Sequence, residues 1–393
     1  MTHRERFFAL MTGQALDRPP FFPDISDWYA GARTPTGRPR TFGSGGFLPD
    51  SDPLNSQPGN MPPEFAGWTY LDFYRRLDWG LPVHIYGWLE AEYDGVDVQV
   101  VSEGNRRITR MRCAKGELQK VAAMAADGSW CPTEHLVKSV KDLEVMRYMV
   151  ERTRYQARHD RISRVLEGIG EQGVGDLPIH RSPFGKLVHE YMGFEQVVFA
   201  LYDDRQAIID FMAMQEEHDL KVIELAAAAP ARVVIISDHA DENLIAPPLY
   251  REFCVPFYQK ANRLLHQAGK IVSTHLDGNF RGFFPFIHET RFDLLDGCTP
   301  GPMMNYEVEE LAEVIKRTWA GGQDPPTMNC YLGVPATLFC QNLPDELILE
   351  FGRRIVQAFD GRVLLNIGDI LPPNGDIRQV VKLGALVGGA MGK

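Results

Sequence analysis

The chain has 393 residues, of which 44% are hydrophobic, 24% charged and 10% aromatic, and these fractions exclude a disordered or collagen-like chain. Its 41 Lys and Arg against 52 Asp and Glu give a formal net charge of −11, which disfavours nucleic acid and anionic membranes as partners. No segment offers the ~20 uninterrupted apolar residues of a membrane helix, and the N-terminus lacks the apolar stretch of a signal peptide. Because the six Cys show no CxxC spacing, we expect reduced thiols and a cytoplasmic protein.

The first third of the chain mixes several kinds of element. Apolar residues at helical spacing predict a helix within 2–16, which a proline pair ends. The segment PFFPDI (20–25) follows as a short buried strand, and 31–63, rich in Gly, Pro and Ser, is a long loop. Alternating residues in 93–135 predict an antiparallel β excursion. A helical region is expected from about Ser139, through VKSVKDLEVMRYMV and YQARHDRISRVLEGIG.

From Leu177 onward, short apolar runs end in polar residues and alternate with amphipathic segments, as is typical of a parallel sheet. The runs are 177–180, 233–239, 270–277, 294–299, 327–333 and 363–369. With 20–25 they make seven candidate strands, close to the eight of a (β/α)8 barrel. No glycine-rich phosphate loop follows any of them, which disfavours a nucleotide-binding open sheet. We predict one α/β domain over 1–393, a (β/α)8 TIM barrel with an N-terminal helical and loop extension.

In such a barrel the functional side chains lie at the C-terminal ends of the strands. His275 and Asp277 are two residues apart at one strand end and therefore point to the same side, and Asp369 ends the last strand. One imidazole and two carboxylates are a plausible ligand set for a divalent metal. The alternative is a His–Asp hydrogen bond together with an Asp that caps the last helix.

Further candidates end other strands. Asp238 and His239 are candidates for proton transfer or substrate hydrogen bonding, and Tyr331 joins them as a catalytic candidate. Asn243, a few residues beyond, is a substrate-binding candidate. The alternative for the SDHADEN segment (237–243) is helix capping and surface acid.

The strand that ends at His180 and Arg181 supplies candidates for binding a substrate carboxylate. Arg181 is equally suited to pairing with a neighbouring acid. Cys298 and Cys330 also lie near strand ends, where they could act as nucleophiles or thiolate ligands. Buried, inert thiols are the commoner case.

Several stretches resemble the uroporphyrinogen decarboxylase superfamily, namely THRERFFALMTGQALDRPPFFP, CAKGELQK, EHLVKSVKDLEVMRYMV, SPFGKLVHEYMGFE and, most of all, NLIAPPLYREFCVPFYQKANRLLHQAGKIVSTHLDGNF. The resemblance spans nearly the whole chain and implies a (β/α)8 barrel. Uroporphyrinogen decarboxylase itself uses no cofactor and grips tetrapyrrole carboxylates with an N-terminal arginine-rich motif. The equivalent stretch here, FFPDISDWYAGARTP, lacks that motif and places Asp24 and Asp27 there.

Another branch of this superfamily comprises methyltransferases that work with corrinoid proteins, and they hold zinc through a His-x-Cys-Gly motif and a later Cys before Pro-Pro. The resemblance places His275 at the histidine, Asp277 at the first cysteine and Asp369 at or beside the second. Carboxylates in place of both thiolates leave the metal a stronger Lewis acid, which suits an oxygen-bearing substrate better than a thiol.

The resemblance therefore predicts a metal-assisted methyltransferase or demethylase that uses a divalent metal. Zinc is the first candidate for that metal. Its substrate would be small and oxygenated, with a methoxy group or a carboxylate. A corrinoid protein is the expected partner, and the family suggests a homodimer. The alternatives are a metal-free decarboxylase and a non-catalytic barrel that binds a ligand.

Overall fold

The computed structural model describes residues 1–33, 61–125, 130–276, 278–319 and 327–389. Most of the predicted loop 31–63 therefore lies outside the described residues, as does Asp277. The helices are α1 His3–Met11, α2 Ser26–Arg33, α3 Tyr70–Arg76, α4 Leu143–Glu151, α5 His159–Ile169, α6 Pro183–Lys186, α7 Phe194–Asp203, α8 Arg205–Ala228, α9 Pro247–Leu249, α10 Val255–Gln267, α11 Val308–Trp319, α12 Asp345–Ala358 and α13 Ile377–Gly389. Short 3-10 or π-helical segments flank several of them.

The strands are β1 Leu81–His84, β2 Leu89–Tyr93, β3 Asp97–Glu103, β4 Arg106–Cys113, β5 Gly116–Met124, β6 Trp130–Glu134, β7 Thr153–Ala157, β8 Gly173–Ile179, β9 Val233–Ile236, β10 Ile271–His275, β11 Leu294–Cys298, β12 Asn329–Gly333 and β13 Leu364–Asn366. Seven of them form one parallel sheet in the order β1-β8-β9-β10-β11-β12-β13. Helices follow most of these strands, so the predicted βα alternation is confirmed.

The two ends of this sheet are joined by the segment around Phe21. The Phe22 amide donates to the Leu365 carbonyl of β13 at 2.9 Å, and the Gly80 amide, just before β1, donates to the Phe21 carbonyl at 2.8 Å. Phe21 and Leu365 form a parallel bridge. The predicted strand 20–25 thus takes the eighth position of a TIM-like barrel, although only single bridges form there.

Helix α1 closes the N-terminal end of the barrel. Its Phe7 packs in one cluster with Phe22 and with the first residues of three strands, Val233, Leu294 and Leu364. The helix begins with a capping box in which Thr2 and Glu5 satisfy each other's backbone amides. The predicted N-terminal helix is confirmed. Because its apolar face covers the starts of the strands, the open end of the barrel lies at their carboxyl ends.

The β excursion is confirmed as an antiparallel sheet of β3 to β6, preceded by β2. One expectation was wrong and one strand was missed. Residues 155–157, predicted as the start of a helix, belong to β7, which pairs with β2 because its alternate side chains are buried. Strand β1 was not predicted, since its four residues include a proline and give too short an apolar run.

Among the described residues, no helix is long and apolar enough to cross a membrane.

Candidate active site

A cavity inside the barrel is lined by ionisable groups from several strands. Its polar lining residues are Asp24, His84, Asp176, Ser273, Asp296, Tyr331, Asn366 and Asp369. Its apolar lining residues are Phe7, Phe22, Pro82, Val174, Val233, Ile235, Leu294 and Leu364. No Lys or Arg belongs to this lining in the part of the chain that the structure describes. A cavity with four Asp and no strong base repels anionic ligands unless a cation enters it.

His275, at the end of β10, is held between two carboxylates. It pairs in register with Asp296 of β11, and its Nδ1 lies 2.9 Å from the Asp296 Oδ2. Its other nitrogen, Nε2, lies 3.9 Å from Oδ1 of Asp369, which is too long for a hydrogen bond. Burial alone would raise the pKa of Asp296, but the hydrogen bond and charge of His275, with the charge of His84, hold that pKa below its usual value.

The backbone around His275 is adapted to this arrangement. A Cβ atom on Gly297 would lie 2.8 Å from Cε1 of His275, and Gly297 has a φ of +75°, so a side chain is excluded there. His239 and Asp369 adopt φ values of +50° and +53°, which are uncommon for residues other than glycine. The His239 ring contacts the His275 ring edge to face, with centroids 4.7 Å apart. Unusual backbone on both sides of one imidazole marks this edge of the barrel as a functional-site candidate.

The described part of the predicted metal site fits a divalent ion. A metal-bound histidine usually donates its second ring nitrogen to a carboxylate, which is the contact His275 makes with Asp296. Two ligand bonds of about 2 Å each to one ion can span the 3.9 Å between His275 Nε2 and Asp369 Oδ1. No group of three His, Cys, Asp or Glu is placed to hold a metal within the described ranges, which omit Asp277. The predicted third ligand is therefore untested.

A second His–Asp pair, not predicted from the sequence, lines the same cavity. His84 ends β1 and pairs in register with Asp176 of β8. Its Nδ1 lies 2.9 and 3.0 Å from the two carboxylate oxygens of Asp176. His84, which lines the cavity, and His275, whose partner Asp296 lines it, are thus each bound through Nδ1 to an aspartate on a neighbouring strand.

The electrostatics of this second pair favour a charged imidazole. Burial opposes the imidazolium, but nearby carboxylates outweigh burial and raise the pKa of His84 to about 10. Those carboxylates belong to Asp176, Asp296 and Asp24. Burial raises the pKa of Asp176 as well, so the two partners compete for one proton. We place that proton on the imidazole because carboxylates other than Asp176 also face it.

Asp238, predicted as a catalytic residue, is buried and lies outside the cavity lining. Its Oδ1 accepts a hydrogen bond from the Ser182 amide at 2.8 Å, and its Oδ2 accepts one from the Tyr258 hydroxyl. A Cβ atom on Gly185 would lie 2.2 Å from Oδ1. These contacts show that Asp238 joins the end of β9 to α6 and α10.

Of the other two predicted catalytic residues, Tyr331 lies in the cavity lining and His239 does not. Tyr331 of β12 lines it, and the Tyr331 hydroxyl donates to the Phe22 carbonyl. Burial raises the pKa of Tyr331 well above its ordinary value, so its hydroxyl stays protonated. His239 contacts the His275 ring and is only partly buried.

The three predicted substrate-binding residues lie outside the cavity lining. His180 packs on Tyr155 with ring centroids 5.0 Å apart, and burial lowers its pKa to about 3. Arg181 forms an ion pair with Glu190 at 3.0 Å, which is the alternative expected for it. Asn243 is exposed, and its amides donate to Asp241 in a turn.

The sequence held a signal for the residues that were missed. Asp176 and Asp296 stand inside otherwise apolar strands, GVGDLPI and LLDGC, where an acid is costly unless it is paired. The sequence held no comparable signal for His84, because β1 was too short to be recognised as a strand. Cys298, considered as a nucleophile, is fully buried, and burial raises the pKa of its thiol, as expected of an inert cysteine.

Comparison with known proteins gives a family-model match over part of the chain and a fold. Residues 133–322 match the family model described as Uroporphyrinogen decarboxylase (URO-D). No curated protein sequence matches the chain. Among solved structures it is similar to a methyltransferase from Methanosarcina mazei, with 16% identity, 98% of each chain covered and a TM-score of 0.58. It is also similar to a B12-independent methionine synthase from a Shewanella species, with 11% identity, 95% of this chain and 96% of that chain covered and a TM-score of 0.46. At 16% identity, the first likeness supports the barrel fold.

Proposed function

We propose that the chain, whose residues 133–322 match the uroporphyrinogen decarboxylase family model, is a metal-assisted methyltransferase of that superfamily. The proposed reaction removes a methyl group from a small methoxy substrate and passes it to a corrinoid carried by a partner protein. The observation that carries the proposal is the His275 imidazole, fixed at Nδ1 by Asp296 and directed at Asp369 through Nε2.

His275 and Asp369, with Asp277 as the predicted third ligand, would hold the divalent metal, for which zinc is the first candidate. When bound, the metal would act as a Lewis acid on the substrate oxygen and make it a better leaving group. Asp296 fixes which nitrogen of His275 faces the metal site. His239 packs on the His275 ring and limits its rotation.

The charges of the cavity favour a methoxy substrate over a carboxylate-bearing one. Four Asp line it, and its described lining has neither Lys nor Arg to neutralise a second anion. A neutral ether avoids this repulsion, whereas a tetrapyrrole with eight carboxylates would meet it repeatedly. This is also the reason to prefer methyl transfer to the metal-free decarboxylation of uroporphyrinogen.

The test is a methyl-transfer assay under anaerobic conditions. The protein, loaded with zinc, is mixed with methoxybenzene and cob(I)alamin, and formation of methylcobalamin is followed by its absorbance. We expect turnover that a chelator abolishes and that zinc restores. Decarboxylation of uroporphyrinogen that survives chelation, with no methyl transfer, would establish the decarboxylase instead.

A further inference from the structure

The cavity contains an imidazole that the metal site does not use. His84 lies on β1, and its Nδ1 is bound by both carboxylate oxygens of Asp176. In the described part of the chain, the structure gives its Nε2 no hydrogen-bond partner, although the residue lines the cavity. Its side chain retains 37% of its accessible surface. One nitrogen is therefore fixed, and the other is available to a ligand in the cavity.

His84 and the metal site face the same space. Asp369, a proposed metal ligand, and Asp296, which orients His275, line the cavity together with His84 and Asp176. The charge of Asp296 acts on both imidazoles. A substrate oxygen bound at the metal site would therefore lie in a cavity whose wall also presents an N–H donor from β1.

We propose that His84, held by Asp176, is the proton donor that converts the departing substrate oxygen into a hydroxyl group. This inference rests on the proposed function and assigns it a catalytic residue. In the step, the methyl carbon forms its new bond with the electron pair of a reduced corrinoid cobalt, and the methyl C–O bond breaks. The C–O electron pair stays on oxygen, which takes the Nε2 proton of His84. His84 becomes neutral and regains a proton from solvent.

The arrangement suits a general acid for two physical reasons. The bifurcated contact of Nδ1 with both carboxylate oxygens of Asp176 fixes the imidazole orientation, and the negative charge of that carboxylate stabilises the cationic form. The groups that face His84 are Asp176 on β8, Asp296 on β11, Asp24 in the N-terminal segment and the Tyr86 ring, whose centroid lies 5.9 Å away. Since the ionisable groups among them are acidic or neutral, the cation is maintained at neutral pH, as the raised pKa of His84 indicates.

The kinetic test varies the leaving group. With methoxybenzene the departing phenolate is basic and needs a proton, whereas 4-nitromethoxybenzene releases a nitrophenolate that needs none. We expect His84→Gln to slow transfer from methoxybenzene by about 100-fold or more and to slow transfer from the nitro compound by less than about 10-fold. The matched control, His288→Gln, changes an exposed histidine and should leave both rates unchanged. An equal loss on both substrates would overturn the proposal, because it would mean that His84 only positions the substrate.

A second measurement does not depend on the reaction. Proton–nitrogen NMR spectra of the histidine rings, with the His84 signal assigned from His84→Gln, report whether its imidazole is charged. We expect the charged form at pH 8, and a titration that moves to lower pH in Asp176→Asn. A neutral His84 at pH 7 would overturn the proposal even if methyl transfer were observed. A charged His84 without methyl transfer from any ether would instead overturn the proposed function, and the proton-donor step with it.

Discussion

At the scale of single residues, the two histidines owe their hydrogen bonds to aspartates on adjacent parallel strands. In a parallel sheet, residues in register on adjacent strands place their side chains on the same face, so a His opposite an Asp can form a hydrogen bond without a loop to support it. His84 with Asp176 and His275 with Asp296 both arise in this way. In each pair Nδ1 takes the carboxylate, which directs Nε2 elsewhere. In the proposed mechanism, the same arrangement would prepare His275 for a metal and His84 for a proton.

Asp238 shows how a polar strand end can instead be structural. Replacing it with Ala would leave the Ser182 amide and the Tyr258 hydroxyl buried without an acceptor. Because an unsatisfied buried donor costs about 1–3 kcal/mol, we expect Asp238→Ala to lower the free energy of unfolding by about 2–5 kcal/mol, measured by urea denaturation. Tyr258→Phe removes one of the two donors and should cost less. An unchanged stability with loss of activity would make Asp238 a catalytic residue after all.

At the scale of elements, α1 determines which end of the barrel is open. Phe7 is 4% exposed and contributes both to the cluster at the N-terminal end and to the cavity wall. Packing this helix across the starts of the strands excludes water from that end. Ligands therefore have access from the opposite end, where His239, His275 and Asp369 lie.

Truncation of Phe7 tests this role of α1. We expect Phe7→Ala to lower the free energy of unfolding by about 3–5 kcal/mol, because the substitution leaves a cavity between the helix and the strands. The comparison is Tyr202→Ala, which removes an aromatic ring that is 91% exposed and should change stability by less than about 0.5 kcal/mol. A Phe7→Ala protein as stable as the Tyr202→Ala protein would mean that α1 does not hold the barrel end closed.

At the scale of the molecule, the sequence predicts which segments form most strands of the barrel. It does not predict the register in which neighbouring strands pair. Six of the seven strands of the parallel sheet were predicted, because each carries an apolar run with a polar end. The pairing of His84 with Asp176 depends on the register between β1 and β8, which are about 90 residues apart in the chain. Local patterns do not encode such a register. The same holds for Asp238, whose partners lie just before α6 and on α10.

The distribution of charge also belongs to the whole molecule. The net charge of −11 is partly concentrated in the cavity, where four Asp converge from different segments of the barrel. Carboxylates brought together in this way are destabilising unless protons or cations compensate for them. His84 supplies one positive charge, and a divalent metal beside His275 and Asp369 would supply two more. A bound metal would thus account for a group of acids that the protein's own bases do not neutralise within the described lining.

The metal content of the purified protein tests this account most directly. Elemental analysis after dialysis should find about one divalent metal per chain, and His275→Ala combined with Asp369→Ala should reduce it to background while His288→Ala, at an exposed position, retains it. Absence of metal from the wild-type protein even after incubation with zinc, or equal occupancy in the double variant, would contradict the metal site on which the proposed methyl transfer depends.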